Sequence, residues 1–396
     1  MQFSKDQMAL KEKARHVAET HVRPKAAEHD RTGEYPHGVM KEIVKAGLMG
    51  VWIPQEYGGG GKGVVETCII VEELSRACGG MGVAFAVNAL GSFPLTICEN
   101  EPLKKRFLPR VASGEDYIAF GLSEIAAGSD AGSLTARADP VADGFEITGA
   151  KKWTPNAGVA NLFTIFANAD VSKGPRGVTA LSVERGAAGF TIGKREDTMG
   201  IRCVPIHELK FDKCKVPAGN QLCKEGRGFA LAMATLDKAR PGVAAQALGL
   251  AQGALDLAAQ FVCQRKQFGK LLSDQQAIQF MLADMGVQIA AARSLVYDAA
   301  VAIDQGDRRG TALASMAKVF ATDMAMRVTT DATQLFGGYG YVRDYPIEKY
   351  FRDAKITQIY EGTNQIQRLV ISRFLIKETM ALVSDPATVL VRPPVA

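Results

Sequence analysis

The sequence of 396 residues lacks several features that mark particular classes of protein. Its net charge of +5 is spread along the chain without a long basic run, so nucleic-acid binding has no support. The seven cysteines are odd in number and form no Cys-x-x-Cys pair, which is typical of a reduced, intracellular chain, and we expect a cytoplasmic protein. None of the five histidines pairs with another at metal-ligand spacing, so no metal is predicted.

Long apolar runs are also scarce. The N-terminus, Met1–Asp6, lacks the apolar core of a secretory signal. One stretch of twenty residues, Gly79–Cys98, carries no charge, but it contains four glycines as well as Asn88, Ser92 and Pro94. This composition suits a buried helix pair better than a membrane span, and no membrane contact is predicted.

The hydrophobic pattern changes twice along the chain, which predicts helical, β and helical domains at residues 1–116, 117–226 and 227–381, followed by a tail at 382–396. In the first domain, Ser4 and Gln7 have the spacing of a helix capping box. Further helices are predicted around Gly38–Gly47, Val64–Cys78 and Pro102–Ala112.

The middle domain is predicted from short β-branched and aromatic runs separated by turn residues. These runs are Tyr117–Leu122, Leu134–Ala138, Phe145–Thr148, Leu162–Phe166, Val178–Val183, Phe190–Ile192 and Glu208–Phe211. From about Gly228 the chain is alanine-rich and apolar on more than one helical side, which suits a bundle with a further partner surface. The prolines after Asp385 predict an extended arm.

Three segments are candidates for a ligand-binding or catalytic site. Gly121–Ser133 is a strand that enters a loop of small residues, where the backbone could approach a polar ligand or simply turn at the surface. Gln334–Tyr341 is a glycine cluster that could equally end a helix. Glu361 precedes Gly362 in an apolar, amide-rich segment, so it is either a general base whose pKa burial raises or an acid at a helix N-cap.

Together these segments resemble the acyl-CoA dehydrogenase family, and its short- and medium-chain branches above all. The first family motif is matched by Gly121–Ser133 and the second by Gln334–Asp353, with Asp344, Lys349 and Asp353 at the expected offsets. The other matches are Trp153, Asp237–Arg240, Gln264–Gly269 and Tyr360–Thr363. The order of the elements agrees over essentially the whole chain.

The resemblance implies an α+β multidomain fold, in which an N-terminal helical domain, a middle β-barrel and a C-terminal four-helix bundle bind FAD. The residues implied at the flavin are Phe120, Leu122, Ser123, Ser129, Trp153, Thr154 and Pro155, with Thr363 and Gln365 also at the cofactor. Those implied at the adenosine part are Arg265, Gln267, Phe268, Gln275, Gln334, Gly337 and Gly338, on the FAD of a neighbouring subunit. Those implied at the CoA portion are Ser129, Asp237, Arg240 and Gly362.

The resemblance also implies an activity, the α,β-dehydrogenation of an acyl-CoA thioester to the 2-enoyl-CoA. Glu361 would take the α-proton while flavin N5 accepts the β-hydride. An electron-transfer flavoprotein is the implied electron partner, and a homotetramer the implied assembly. Two alternatives stay open: an enoyl-CoA reductase on the same fold, and a flavin-bearing scaffold that binds nucleic acid or protein.

The chain departs from the family pattern in two places. Ile125 and Ala126 replace the usual proline and glycine of the first motif. Pro155 stands where the family has a Thr or Ser whose hydroxyl contacts flavin N5, and Thr154, one residue earlier, should face the other way. In addition, Gly79–Cys98, the counterpart of part of the family's acyl pocket, has no Arg or Lys, which disfavours a glutaryl-type substrate.

Overall fold

The structure is a computed structural model that describes residues 2–383. The predicted extended arm after Asp385 lies outside the described residues. The predicted boundary of the tail at residue 382 is two residues too early, because the last helix continues to Val383. The order helical, β, helical is confirmed along the described chain.

The N-terminal part is built from six α-helices. They are α1 (Lys5–Val17), α2 (Ala26–Thr32), α3 (His37–Lys45), α4 (Val64–Ala77), α5 (Gly79–Ile97) and α6 (Glu101–Ala112), with short turns of π-helix at Ala18–Val22 and of 3-10 helix at Arg23–Lys25 and Gln55–Tyr57. The predicted capping box is confirmed, since Ser4 and Gln7 exchange both hydrogen bonds at the start of α1. Helices α3, α4 and α6 lie where the sequence predicts them.

Helix α5 differs from the predicted helix pair, because Gly79–Ile97 forms one continuous helix through the core. Its glycines are sites of close packing rather than breaks. A Cβ atom added to Gly82 would lie 2.1 Å from Ser75 Oγ on α4, and one added to Gly91 would lie 3.0 Å from the backbone of Ile118. Helix α5 and the later helix Gln276–Asp304 are long and apolar enough to cross a membrane, but 78% of the apolar window in α5 and 39% of that in the later helix are buried inside the protein.

The middle part is a curled seven-stranded sheet. Its strands are β1 (Ile118–Gly121), β2 (Arg137–Val141), β3 (Gly144–Thr154), β4 (Leu162–Asn168), β5 (Val178–Glu184), β6 (Phe190–Arg195) and β7 (His207–Pro217). The hydrogen-bonded order is β1-β4-β2-β3-β7-β6, and β5 pairs with β4. The strand predicted at Leu134–Ala138 begins later, at Arg137, because Glu124 accepts hydrogen bonds from the backbone N–H groups of Thr135 and Ala136.

The C-terminal part consists of long helices packed on one another. They are α7 (Gly228–Val262), α8 (Gln276–Asp304), α9 (Gly310–Phe336), α10 (Ile347–Lys355) and α11 (Asn364–Val383). A two-stranded hairpin, β8 (Lys266–Gln267) with β9 (Lys270–Leu271), lies between α7 and α8. The glycine cluster ends α9, and Gly337 is its C-cap at φ 58°. The interpretation of this cluster as a helix end is therefore right.

The second motif ties the C-terminal part to the other two. Lys349 and Asp353 form a buried ion pair one turn apart on α10. Asp353 accepts a hydrogen bond from the backbone N–H of Ile201 at 2.6 Å, in the loop between β6 and β7, and Lys349 Nζ lies 3.2 Å from the Sγ of Cys78, between α4 and α5. The motif therefore stabilises the junction of all three parts, while Asp344 is exposed.

Candidate functional site

A cavity of about 550 Å³ lies between the three parts of the chain. Its walls come from α4 and α5, from the loop after β1 and the end of β3, and from α7 and the segment before α11. Nine of the predicted site residues meet on this surface: Phe120, Leu122, Ser123, Ser129, Trp153, Pro155, Arg240, Glu361 and Gly362. Residues far apart in sequence thus converge on one place, which is typical of a ligand site.

Glu361 lies in a tight turn just before α11. Its backbone is in the left-handed region at φ 53°, and Gly362 follows at φ 90°. The Oε2 atom of Glu361 is buried and has no hydrogen-bond partner, which is rare for a carboxylate oxygen. The N-cap interpretation is wrong, because the hydroxyl of Thr363 caps α11 by accepting a hydrogen bond from the N–H of Ile366 at 3.3 Å.

Two cations offset the effect of burial on the pKa of Glu361. Burial raises the pKa of Glu361 to about 7, and the positive charges of Arg240 and Lys318 counteract that rise. Arg240 is itself buried on α7, where it forms an ion pair with Asp237. Asp237 does not line the cavity, and it also accepts a hydrogen bond from Thr311 at 2.7 Å, so it holds Arg240 in place. A carboxyl group with a pKa near neutrality can accept and return a proton.

Another part of the cavity wall, the flavin wall, is built by the loop after β1 and the end of β3. Trp153 and Asn156 both have left-handed backbones, at φ 57° and 58°, on either side of Pro155. Pro155 lines the cavity, whereas Thr154 is 1% exposed and does not. Thr154 is therefore not brought to the cavity with the other predicted flavin residues.

A buried ion pair beneath this wall was missed by the sequence reasoning. Lys151 Nζ lies 2.6 Å from a carboxylate oxygen of Glu124 and donates a hydrogen bond to the carbonyl of Leu122 at 3.1 Å. Both charged side chains are almost fully buried. This pair joins β3 to the loop after β1, and so it fixes the two segments that form the wall.

The residues of this wall fit the FAD that the sequence implies. Trp153 is 52% exposed and lines the cavity, so part of its surface is available for contact with another aromatic system. Apolar side chains and hydroxyl groups adjoin it on the cavity surface: Phe120, Leu122, Pro155, Ser123 and Ser129. Such a surface can receive a flat ring system with polar edges.

The remaining predicted cofactor residues lie away from the cavity. Gly337 and Gly338, at the end of α9, face open space, and Arg265 lies 5.3 Å from the ring of Tyr339 in the same turn. Phe268, at the tip of the β8–β9 hairpin, is 96% exposed. Gln267, Gln275 and Gln334 also do not line the cavity. Gln365 is exposed on α11. The assignment of these residues other than Gln365 to a neighbouring subunit's FAD stays a prediction, as does the assignment of Gln365 and Thr363 to the cofactor.

The cavity wall also includes cations that come from outside Gly79–Cys98. Helix α5 is uncharged, as expected, but α7 adds Lys238 and Arg240 to the wall. Lys238 Nζ lies 4.9 Å from the ring centroid of Phe93 on α5. The absence of Arg and Lys from Gly79–Cys98 therefore describes one wall and not the whole cavity. One lysine and one arginine inside an alanine-rich helix were the available signal.

Known proteins share this architecture along nearly the whole chain. Models of the acyl-CoA dehydrogenase N-terminal, middle and C-terminal domains match residues 4–115, 119–214 and 226–376. "Probable acyl-CoA dehydrogenase FadE25" of Mycobacterium tuberculosis is 45% identical over 92% of this chain and 93% of its own length. "Acyl-CoA dehydrogenase, short-chain specific" of Clostridium acetobutylicum is 44% identical over 93% of this chain and 98% of its own.

A solved structure agrees with these relatives. Butyryl-CoA dehydrogenase from Megasphaera elsdenii is 42% identical, with a TM-score of 0.93, and the match covers 95% of this chain and 99% of that one.

Proposed function

Because the chain belongs to the acyl-CoA dehydrogenase family, we propose that it oxidises a short acyl-CoA thioester to the 2-enoyl-CoA, with Glu361 as the base. The family membership makes the chain an FAD-dependent acyl-CoA dehydrogenase. The observation that carries the assignment of the base is the buried, unpartnered Oε2 of Glu361 on the cavity wall. The short chain is proposed from the relatives in Clostridium acetobutylicum and Megasphaera elsdenii.

The chain's own residues can bind, orient and deprotonate such a thioester. The α-proton of a thioester is weakly acidic, so a base must lie close to it and water must be kept away. Glu361 takes the proton on Oε2, and Arg240 and Lys318 stabilise the ionised carboxylate beforehand. Ser129, Arg240 and Gly362 are proposed to hold the CoA portion, and the apolar side chains of α4 and α5 surround the acyl chain.

FAD, held by the wall around Trp153, supplies the acceptor for the β-hydride when it is bound. We infer that the electrons then pass to an electron-transfer flavoprotein. We also infer a homotetramer, since the apolar residues Leu375 and Ile376 on α11 are each about half exposed and do not line the cavity. The cytoplasmic location is proposed from the cysteines, all seven of which are free.

The first expected result is that the purified protein is yellow, with about one FAD per subunit. Under anaerobic conditions, butyryl-CoA should bleach the flavin absorbance, and it should do so with a higher kcat/KM than glutaryl-CoA. A colourless protein that cannot be reconstituted with FAD overturns the proposed function. Protein that binds FAD but reacts only with enoyl-CoA and an added reductant indicates the enoyl-CoA reductase instead.

A second expected result concerns Pro155. A proline at this position offers the flavin neither a hydroxyl nor an N–H, and the buried Thr154 does not replace them. The substitution Pro155→Thr should therefore shift the flavin absorption spectrum or the reduction potential, because it adds a hydrogen-bond donor to the wall. Thr154→Val is the matched control and should leave both unchanged. If Pro155→Thr changes neither quantity, the interpretation of this departure is wrong.

A further inference from the structure

Lys318 is a fully buried lysine on α9 that none of the sequence motifs includes. Its Nζ donates hydrogen bonds to the carbonyl of Gly362 at 3.0 Å and to Oδ1 of Asn364 at 2.8 Å. Both acceptors are uncharged, and no ion pair of Lys318 is found among residues 2–383 at 4.0 Å or less. Burying an ammonium group without a counterion close by is unfavourable, so its presence beside Glu361 calls for an explanation.

The backbone around Glu361 is held from two helices. Gln367, on α11, donates hydrogen bonds from Nε2 to the carbonyls of Glu361 and Gly362, both at 3.0 Å. Lys318 reaches the Gly362 carbonyl from α9. Left-handed backbone is unfavourable for a residue with a side chain, so the turn at Glu361 must be held by its surroundings.

We propose that Lys318 is a positioning residue for the base: its ammonium group fixes the turn that carries Glu361, and its positive charge favours the ionised carboxylate. This inference rests on the proposed function, because it needs Glu361 to act as the base. The hydrogen bonds of Lys318 Nζ to this segment go to Gly362 and Asn364, so it fixes the turn through these two residues.

The charges around the pair set the direction of the effect. Burial lowers the pKa of Lys318 to about 7, with Glu361 and Asp323 opposing this and Arg240 adding to it. Burial likewise raises the pKa of Glu361 to about 7, against the charges of Arg240 and Lys318. On its own segment, Glu361 adjoins Tyr360, whose pKa is raised by burial and by that carboxylate. The charge of each of these two residues therefore favours the charged form of the other.

The sign of the pH effect follows from these charges. The base works when it is ionised, so kcat/KM should rise with pH as Glu361 loses its proton. The positive charge of Lys318 partly offsets the rise that burial causes in the pKa of Glu361. When that charge is removed, the pKa of Glu361 should therefore rise further. The rising limb of the pH profile of kcat/KM should then move to higher pH by about one unit, which is the size of shift that the loss of a neighbouring charge causes.

The chain offers a matched control for this charge. Asn364, the second acceptor of Lys318, donates a hydrogen bond to Asp323 at 2.7 Å, and Arg368 forms an ion pair with the same Asp323 at 2.7 Å. The Arg368 side chain is 54% exposed, so solvent screens its charge. Arg368→Gln therefore removes one positive charge from the same network without removing a buried one.

The experiment compares the pH profile of kcat/KM for butyryl-CoA in FAD-loaded wild type, Lys318→Met, Lys318→Gln and Arg368→Gln. Both Lys318 variants should move the limb upward by about one pH unit, and Arg368→Gln should not move it. Above the limb, Lys318→Gln should recover more of the wild-type kcat than Lys318→Met, because its amide still donates a hydrogen bond to the turn.

A limb in Lys318→Gln that coincides with that of wild type overturns the inference, whatever the rate. The same holds if Arg368→Gln shifts the limb as far as the Lys318 variants do. Failure of the proposed function looks different, since wild type would then reduce no flavin with any acyl-CoA, or Glu361→Gln would remain active. The Gln variant keeps the fold testable if Lys318→Met does not accumulate.

Discussion

Glu361→Gln should abolish the reduction of the flavin by substrate while the protein still binds FAD and CoA. The amide has the size of the carboxylate and keeps the side-chain contacts, but it cannot accept the α-proton. General-base catalysis contributes on the order of 10²–10⁴ in rate, so the loss should be at least about 10²-fold. The measurement is stopped-flow flavin reduction with saturating butyryl-CoA.

Glu378→Gln is the matched control, because Glu378 lies on α11 in an exposed ion pair with Arg308 and away from the cavity. It should react like wild type. A Glu361→Gln protein that reduces its flavin at nearly the wild-type rate ends the assignment of the base.

A rescue experiment tests the position of the base rather than its identity. Ala239 is buried on α7 and lines the same cavity as Glu361, so a carboxylate placed there enters the same space from another helix. Glu361→Gly suits the left-handed backbone at that position, so the turn should survive the deletion. Adding Ala239→Glu to this background should restore part of the activity, and Ala239→Gln should restore none.

The order of the domains was predictable because it depends on local periodicity, but packing between elements was not. The glycines of α5 look like helix breaks in the sequence, whereas Gly82 and Gly91 allow close contact with α4 and β1. Likewise, nothing local shows that Glu124 takes the N–H groups of Thr135 and Ala136 and so delays β2. Each of these depends on a partner distant in sequence.

The candidate site divides in the same way. Residues within motifs, such as Ser129 and Glu361, were found and meet at the cavity. Lys318 and Lys151 were not, because each is a single charged residue whose partners lie far along the chain. Their signal was a lysine in an otherwise apolar segment, which alone does not distinguish a buried cation from an exposed one.

Lys151→Met should destabilise the protein strongly, because it leaves the carboxylate of Glu124 buried without a counterion. Burial tends to raise the pKa of Glu124, but the charge of Lys151 and the hydrogen bonds from Lys151 and Thr135 outweigh it and lower that pKa. Removing one partner of a buried ion pair typically costs about 3–5 kcal/mol. The thermal midpoint of the FAD-loaded protein should fall by several degrees.

The same change should weaken FAD binding, because the pair joins the two segments that form the flavin wall. Lys151 donates a hydrogen bond to the carbonyl of Leu122, and Glu124 accepts one from the backbone N–H of Thr135, just before β2. The dissociation of FAD, followed by its fluorescence on dilution, should therefore be faster in Lys151→Met. Lys173→Met, which breaks the exposed pair with Asp170, is the control and should change neither quantity.

The double variant Glu124→Gln with Lys151→Met decides between charge and packing as the cause. Without the carboxylate there is no unpaired buried charge, and Gln can still accept a hydrogen bond from the N–H of Thr135. The double variant should therefore recover much of the thermal midpoint that Lys151→Met loses. If it is less stable than Lys151→Met alone, the loss comes from packing around Lys151, and the ion pair is not what holds the wall together.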